Sequence, residues 1–465
     1  MAALTRIKRF FAVQDMTEGS PMQKLVQFSI PLLIGNLAQQ LYNTVDSIVV
    51  GKYIGDTALA AVGTAGPILN LLLVLFMGIA TGASILASQY FGAKDRDTLS
   101  RVVGTTIFLT VASSLVVMVL GYFASPALIG LMNPPEDVGV GAVTYLQIIF
   151  LGILGGGAYN ILSGVLRGIG DSFFPLVYLT VACLLNIVLD IVFVANFNMG
   201  VAGVAWATII AQLISGALCL IRLLRMKNII DVNLRTLIPD KKLTKALTKL
   251  GLPSGVTQAL FSMSTIVVQS LTNSLGTATI AANVAVMRVD GFAMMPNFTY
   301  GTAATTYVGQ NIGARQVGRA HKGMMDLLKL AVGTAAVLVA CILLFGHFLM
   351  NMFTDTEEVI QIGLSGLRWL SLGYIAFAVT CSLQGAMRGA GETMVPMWIS
   401  IVTTIVIRLP LAYLLAYLTR TEAWPHGQPV ALFSSLLISW LIGMAITVTA
   451  YKKGAWKRKL PEDLR

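Results

Sequence analysis

Two acidic residues lie inside long apolar stretches of this sequence, where a charge is costly. Asp46 falls in the stretch 26–50 and Asp190 in the stretch 173–195. An ionisable side chain at membrane depth costs about 2.5–3.5 kcal/mol on insertion scales, so both acids are candidates for function. Asn186 lies one helical turn before Asp190 and shares its face. Asp46 is preceded, also at helical spacing, by Gln39, Tyr42 and Asn43.

Two further polar residues are placed to join these acids. Tyr145 and Thr208 lie about seven residues inside spans that descend from the outer surface, which puts them near the depth of Asp190 at a rise of about 1.5 Å per residue. Such oxygen ligands suit hard cations, and burial favours protonation of a carboxylate. We therefore predict a site for H⁺ or Na⁺, with Na⁺ held by Asp190, Asn186 and Thr208. The alternative is that each acid reaches headgroup water from a helix end, or is only a structural partner of a buried amide.

A second group of charged residues lies in the later part of the chain. Arg288 and Asp290 fall in the apolar stretch 280–310, and Arg408 falls in 395–418. Residues two apart do not face each other on a helix. One interpretation is a stabilising pair, either Asp290 with Arg408 or Asp290 with Arg288. The other is that Asp290 and Arg288 bind substrate, together with Met294, whose side chain would suit an adaptable pocket.

The elements that carry these residues are apolar enough to require lipid as their solvent. The chain has 465 residues, of which 56% are hydrophobic and 11% charged, with a mean hydropathy of +0.78. An ordinary soluble domain has about 25% charged residues. We predict an all-α integral membrane protein with twelve transmembrane helices. The spans are 26–50, 60–88, 101–124, 138–163, 173–195, 201–224, 250–274, 280–310, 323–350, 358–386, 395–418 and 430–452.

The distribution of Lys and Arg along the sequence indicates the membrane topology. The formal net charge is +11, and the basic residues collect at the N-terminus, in alternate loops and in the C-terminal tail. Cytoplasmic loops carry such an excess of Lys and Arg. We therefore predict a multi-pass protein of the plasma membrane with both termini in the cytoplasm, and membrane lipid rather than nucleic acid as its surroundings.

The sequence contains an internal repeat of two copies. Residues 167–175 and 388–396 share the pattern Arg-Gly-X-Gly-acid and a final Pro, and their starts, 167 and 388, are 221 positions apart. Gln89 and Gly92 recur at the same offset as Gln310 and Gly313. Six spans per copy give both copies the same orientation, related by a pseudo-twofold axis along the membrane normal. We predict an N-terminal lobe (1–224), a C-terminal lobe (250–465) and a basic cytoplasmic linker (225–249) with an amphipathic helix at the cytoplasmic surface.

These features together resemble the multidrug and toxic compound extrusion (MATE) family. The motifs after spans two, four, eight and ten carry the resemblance, and the surroundings of Asp46 and Asp190 are similar to its DinF-like branch within the multidrug/oligosaccharidyl-lipid/polysaccharide exporter superfamily. The resemblance implies a V-shaped pair of six-helix bundles that exports cationic lipophilic compounds in exchange for H⁺ or Na⁺. The cation-coupling residues that it implies are Asp46, Tyr145, Asn186, Asp190 and Thr208. Spans seven and ten lack the acids of the NorM-like branch.

The predicted function is therefore secondary-active multidrug efflux by alternating access. Its partners would be cationic amphiphiles, its energy source an ion gradient, and its state a monomer without a cofactor. The alternative within the superfamily is a flippase for lipid-linked oligosaccharides or lipids. An enzyme is not expected, because the sequence shows neither a P-loop nor a nucleophile or metal-ligand cluster in its loops.

Overall fold

The computed structural model describes residues 13–53, 55–132, 134–422 and 424–460, without the side chains at 41–53, 56 and 59. Long helices make up nearly all of this part of the chain. The α-helices are α1 (Pro21–Tyr53), α2 (Asp56–Gly92), α3 (Arg96–Gly130), α4 (Glu136–Leu151), α5 (Ile153–Ile169), α6 (Phe173–Ile191), α7 (Gly200–Arg225), α8 (Lys241–Ser274), α9 (Thr277–Gly313), α10 (Val317–Asn351), α11 (Glu357–Gly389), α12 (Met394–Ile401), α13 (Arg408–Leu418) and α14 (Val430–Lys452). Two π-helical segments, π1 (Val192–Asn196) and π2 (Val402–Ile407), continue α6 and join α12 to α13.

The helices are those of a multi-pass membrane protein. In the described ranges, nine helices are long and apolar enough to cross a membrane. A tenth span is the pair α4 and α5, which is bent by 54° at Gly152. The remaining long helices, α1 and α8, have 33 and 34 residues and occupy the first and seventh predicted spans. Counted in this way, the described helices fill the twelve predicted positions.

The internal repeat is visible in the backbone. Helices α2 and α9 begin and end at positions 221 apart, as do α3 and α10. The residues before α2 and α9, Gly55 and Gly276, have φ angles of 102° and 100°. This left-handed region favours glycine because a side chain would clash there. Lys94 and Arg315, also 221 apart, share the left-handed conformation with φ angles of 56° and 59°.

Small residues let the helices of each repeat approach closely at equivalent places. In the first repeat, a Cβ on Gly164 would lie 2.8 Å from the carbonyl oxygen of Ala80. In the second, a Cβ on Gly385 would lie 2.2 Å from the carbonyl oxygen of Gly301. Backbone contact of this kind is a principal source of helix association in lipid, where burial of apolar surface gives little driving force. The repeat therefore conserves a packing surface as well as sequence motifs.

The chain forms two compact units, one made mainly of Val26–Gly255 and one made mainly of the chain from Val256 onward. In the first unit the linker packs along α3: the Asp231 amide donates to the Ser100 hydroxyl at 2.9 Å. The stretch predicted as an amphipathic helix forms the start of α8, which runs from Lys241 to Ser274. Its apolar residues Leu243 and Leu247 are buried in the protein core of the first unit, while its lysines are exposed.

The Gly385 contact can be tested by adding one methyl group. We expect Gly385→Ala to lower stability by about 1–3 kcal/mol, because the new Cβ would meet a backbone atom that cannot turn away. Gly333→Ala is the matched control, since nothing lies within 4 Å of a Cβ there. Thermal unfolding of the purified protein in detergent measures both. Equal unfolding temperatures for the two variants would contradict the proposed packing role.

Candidate functional site

Helix α6, which carries Asp190, is fixed at its first turn by a charged contact. The carboxylate of Asp171 accepts a hydrogen bond from the Phe174 amide at 3.2 Å and another from Arg222 at 3.1 Å. Burial raises the pKa of the Asp171 carboxyl, and the positive charge of Arg222 opposes that rise. The Arg222 guanidinium also lies 3.7 Å from the centre of the Phe174 ring. These contacts set the position of α6 against α7.

Asp190 lies near the other end of α6, immediately before the backbone changes to π-helix. Its side chain is fully buried, as is that of Asn186 one turn earlier. The π1 segment begins two residues after Asp190. Single-turn π segments occur frequently at functional sites, where they change the direction of nearby side chains. Asp190 therefore combines burial, charge and an irregular backbone.

Asn186 connects Asp190 to α7. With its amide nitrogen turned toward the carboxylate, Asn186 donates to Oδ2 of Asp190 at 3.0 Å, and its oxygen accepts from the Thr208 amide at 3.2 Å. The reverse orientation would point the amide oxygen at the carboxylate, leaving only a 3.5 Å contact from nitrogen to the Thr208 hydroxyl. Only the first orientation pairs donors with acceptors. The structure thus brings together Asn186, Asp190 and Thr208.

The other residues predicted for this site lie on α1 and α4. Tyr145, on α4, is 6% exposed and lies in the apolar core of the same unit. Gln39 is exposed on α1. The side chains of Asp46, Tyr42 and Asn43 lie outside the described residues, although their backbone belongs to α1. Their part in the site stays a prediction.

The charged residues of the later spans form a second polar group. Asp290 on α9 interacts electrostatically with Arg408 on α13, whereas Arg288 is exposed. The hydroxyl of Tyr374, on α11, also faces Asp290. Tyr374 was not predicted, because a tyrosine inside an apolar stretch looks like packing. Met294 is buried, and its side chain lies beside Asn297. The Asn297 amide nitrogen is 4.0 Å from the Met294 sulfur.

The donor atoms at Asp190 suit a hard monovalent cation rather than a transition metal. The described residues contain no group of three or more His, Cys, Asp or Glu side chains that could hold a metal ion. One carboxylate, one amide and one hydroxyl offer only oxygen as an ionic ligand, which is the preference of hard cations. The arrangement can bind a proton on the carboxylate or a small cation beside it.

The architecture agrees with the known proteins that match this chain. The family model described as MatE matches residues 31–192 and 253–414, one match in each repeat. The chain belongs to the MatE family. Among its relatives, "Probable multidrug resistance protein YpnP" of Bacillus subtilis (strain 168) is 29% identical over 95% of this chain and 97% of the relative. "Multidrug export protein MepA" of Staphylococcus aureus (strain MSSA476) is 23% identical over 81% of this chain and 84% of the relative.

Solved MATE structures share the fold. The outward-facing structure of a "multidrug resistance MATE family transporter of the MOP superfamily" superposes with a TM-score of 0.87, at 24% identity, over 96% of this chain and 98% of the other. A MATE structure in complex with MaL6 gives a TM-score of 0.86, also at 24% identity, over 96% of this chain and 99% of the other. The predicted MATE-like fold of twelve helices is therefore confirmed. The match supports the family assignment made from the repeated motifs.

The hydrogen bond between Asn186 and Asp190 gives a stability prediction for this MatE protein. Asn186→Leu should lower stability by about 1–3 kcal/mol or more, because it leaves a buried carboxylate without its amide donor. The double variant Asn186→Leu with Asp190→Leu should recover much of that loss, since the carboxylate that lost its amide donor is then also removed. Thermal unfolding in detergent measures each.

Asn160→Leu is the control for loss of an amide. Its side chain donates to the carbonyl oxygen of Gly156 in its own helix at 2.8 Å and meets no charge in that bond. A smaller loss is expected there. A double variant no more stable than Asn186→Leu alone would show that the carboxylate is not what the amide stabilises.

Proposed function

We propose that this protein is a secondary-active efflux transporter that exports cationic lipophilic compounds in exchange for H⁺ or Na⁺. The observation that carries the proposal is the fully buried carboxylate of Asp190, held at 3.0 Å by Asn186 between two transmembrane helices. Ionisable side chains at membrane depth are costly and often mark ion pathways and proton relays. The multidrug-resistance and multidrug-export names of the relatives support efflux of small molecules.

The proposed cycle uses the charge change at Asp190. A cation entering from outside neutralises the carboxylate, which weakens its hold on Asn186 and lets α6 and α7 repack. Alternating access then exposes the cargo to the outside. One pH unit supplies about 1.4 kcal/mol and a potential of 100 mV about 2.3 kcal/mol per charge. Either would drive export without nucleotide hydrolysis.

The orientation of the Asn186 amide separates the two candidate ions. For Asn186 to bind Na⁺ beside Asp190, its oxygen must turn toward the carboxylate, which breaks its hydrogen bonds to Asp190 and to the Thr208 amide. A proton on the carboxyl group leaves the amide in place. The two ions therefore make different demands on the Asn186 amide, and H⁺ and Na⁺ are both proposed as coupling ions.

The remaining residues have proposed supporting roles. Tyr145 and Asp46 would complete the cation site, and cargo would contact Gln39, Tyr42, Asn43, Asp290, Arg288 and Met294. We also propose that both termini lie in the cytoplasm, which the basic loops support, and that the protein works as a monomer in the plasma membrane. Among its partners would be membrane lipid and cationic amphiphiles.

A flippase for lipid-linked anionic headgroups is the competing function. Such a protein would be expected to line its cavity with uncompensated Arg or Lys. Here the intramembrane Arg408 is accompanied by the acidic Asp290, and the site at Asp190 is acidic. These charges favour the efflux of cations.

Transport in liposomes tests the proposal. Purified protein should drive accumulation of the cationic dye rhodamine 123 when a pH or Na⁺ gradient is imposed, and Asp190→Asn should reduce it to the level of protein-free liposomes. Asp46→Asn is expected to do the same. The control is Asp137→Asn, which changes an exposed acid at the start of α4. Undiminished gradient-driven transport by both Asp190→Asn and Asp46→Asn would refute the coupling role.

A further inference from the structure

The linker between α7 and α8 exposes two large apolar side chains. Leu234 is 85% exposed and Ile238 is 69% exposed. Two backbone hydrogen bonds coil the chain between them, from the Leu237 amide to the Asn233 carbonyl oxygen at 3.2 Å and from the Ile238 amide to the Arg235 carbonyl oxygen at 3.3 Å. Residues four apart on such a coil lie on the same side. Neighbouring exposed apolar residues mark a contact with a membrane or another protein.

The turn that carries these side chains is firmly held. The side-chain oxygen of Asn233 accepts from the amides of Arg235 and Thr236 at 3.0 and 3.1 Å. The Thr236 hydroxyl donates to the Asn233 carbonyl oxygen at 2.8 Å. The carbonyl oxygen of Thr236 packs against Gly104 on α3, where there is no room for a Cβ. The exposure of the apolar pair is therefore built into an ordered turn.

The contact with α3 gives the depth of this turn in the membrane. Helix α3 is long and apolar enough to cross a membrane. Arg101 is its last charged residue, and the rest of the helix, as far as Gly130, is uncharged. Gly104 follows Arg101 by three residues, about 4.5 Å along the helix axis. The turn at Thr236 therefore lies where the lipid headgroups meet the acyl chains.

Exposed basic residues surround the apolar pair. The stretch 226–249 contains only two acids, Asp231 and Asp240. Asp240 is already engaged, because its carboxylate lies 3.6 Å from Arg101 and accepts from the Lys242 amide at 2.8 Å. Clusters of four to eight Lys and Arg beside a membrane span attract anionic lipid. Six exposed basic residues lie in this stretch: Lys227, Arg235, Lys241, Lys242, Lys245 and Lys249.

The start of α8 turns its lysines outward. Its leucines Leu243 and Leu247 are buried in the core of the first unit, so protein rather than lipid covers the apolar face. The lysine face is left free for headgroups. We propose that residues 226–249 form a docking surface for anionic phospholipid, with Leu234 and Ile238 inserted among the acyl chains and the lysines of α8 on the phosphates. This lipid contact is independent of the efflux function.

Insertion is tested with the full chain in phospholipid nanodiscs. The fluorophore NBD is attached to Leu234→Cys or to Ile238→Cys, in a background with Cys341→Ala and Cys381→Ala, the native cysteines that are not buried. We expect a phospholipid with a doxyl group on its acyl chain to quench both labels more than aqueous iodide does, because the inserted side chains are shielded from water. Asn228→Cys, exposed in the same linker, is the control and should show the opposite order.

The charge of the lipid is tested by titrating phosphatidylglycerol or phosphatidylcholine into the purified chain in non-ionic detergent. Native mass spectrometry measures the bound lipid. Replacing the four lysines at the start of α8 by Gln should raise the apparent Kd for phosphatidylglycerol at least about tenfold, because each basic residue adds to the attraction. The Kd for phosphatidylcholine, which has no net charge, should change by less than about threefold. The four lysines are Lys241, Lys242, Lys245 and Lys249.

A matched variant separates this surface from overall charge. It carries the same change at four exposed lysines of the second unit, and its Kd for phosphatidylglycerol should stay within about threefold of the wild type. The ratio of the two lipid dissociation constants is insensitive to the fraction of folded protein. The four control lysines are Lys322, Lys452, Lys453 and Lys459.

Three results would overturn the lipid contact. Equal effects of the two fourfold variants would show attraction to overall charge alone. Labels at Leu234→Cys and Ile238→Cys that iodide quenches would place the turn in water, and labels shielded from both quenchers would indicate a protein partner or a second copy of the chain. Displacement of phosphatidylglycerol by inorganic phosphate would indicate a site for free phosphate. None of these results bears on gradient-driven efflux.

Discussion

The hydrogen bond between Asn186 and Asp190 is the interaction on which the proposed mechanism depends. It holds a fully buried carboxylate between α6 and α7 and links it to the backbone of Thr208. A buried charge of this kind is stabilised only while its hydrogen-bond partners remain in place. Neutralising the charge removes that requirement. In the proposed cycle, binding of a cation would therefore change how the two helices pack.

The two copies of the repeat share their helix packing but differ in their buried charged residues. The close contacts of Gly164 with Ala80 and of Gly385 with Gly301 show that the two copies pack by the same rule. The charged residues, by contrast, differ between the two copies. Position 411, which corresponds to Asp190, is a leucine, and the second copy instead combines an acid on α9 with Arg408 after a π segment. One lobe thus offers an acidic site and the other a charge-balanced one.

Much of the fold and part of the site follow from the sequence. The helices were predicted from the length of the apolar spans, the constant repeat offset and the basic loops. The meeting of Asn186, Asp190 and Thr208 was predicted from the spacing of the first two and the depth of the third. The linker helix was not foreseen as the start of α8, because Leu243 and Leu247 could equally face lipid or protein in a sequence pattern. The π segments have no sequence signature, and Tyr374 is indistinguishable from an apolar filler until its hydroxyl is seen to face Asp290.

The most direct test of the central claim is infrared difference spectroscopy of the purified protein after a jump in pH or in Na⁺ concentration. It reports the carboxyl groups that gain or lose a cation, whichever ion is used. We predict a carboxyl band in the wild type that disappears in Asp190→Asn and persists in Asp290→Asn. A spectrum unchanged by Asp190→Asn would show that this carboxylate takes no part in cation binding and would contradict the account.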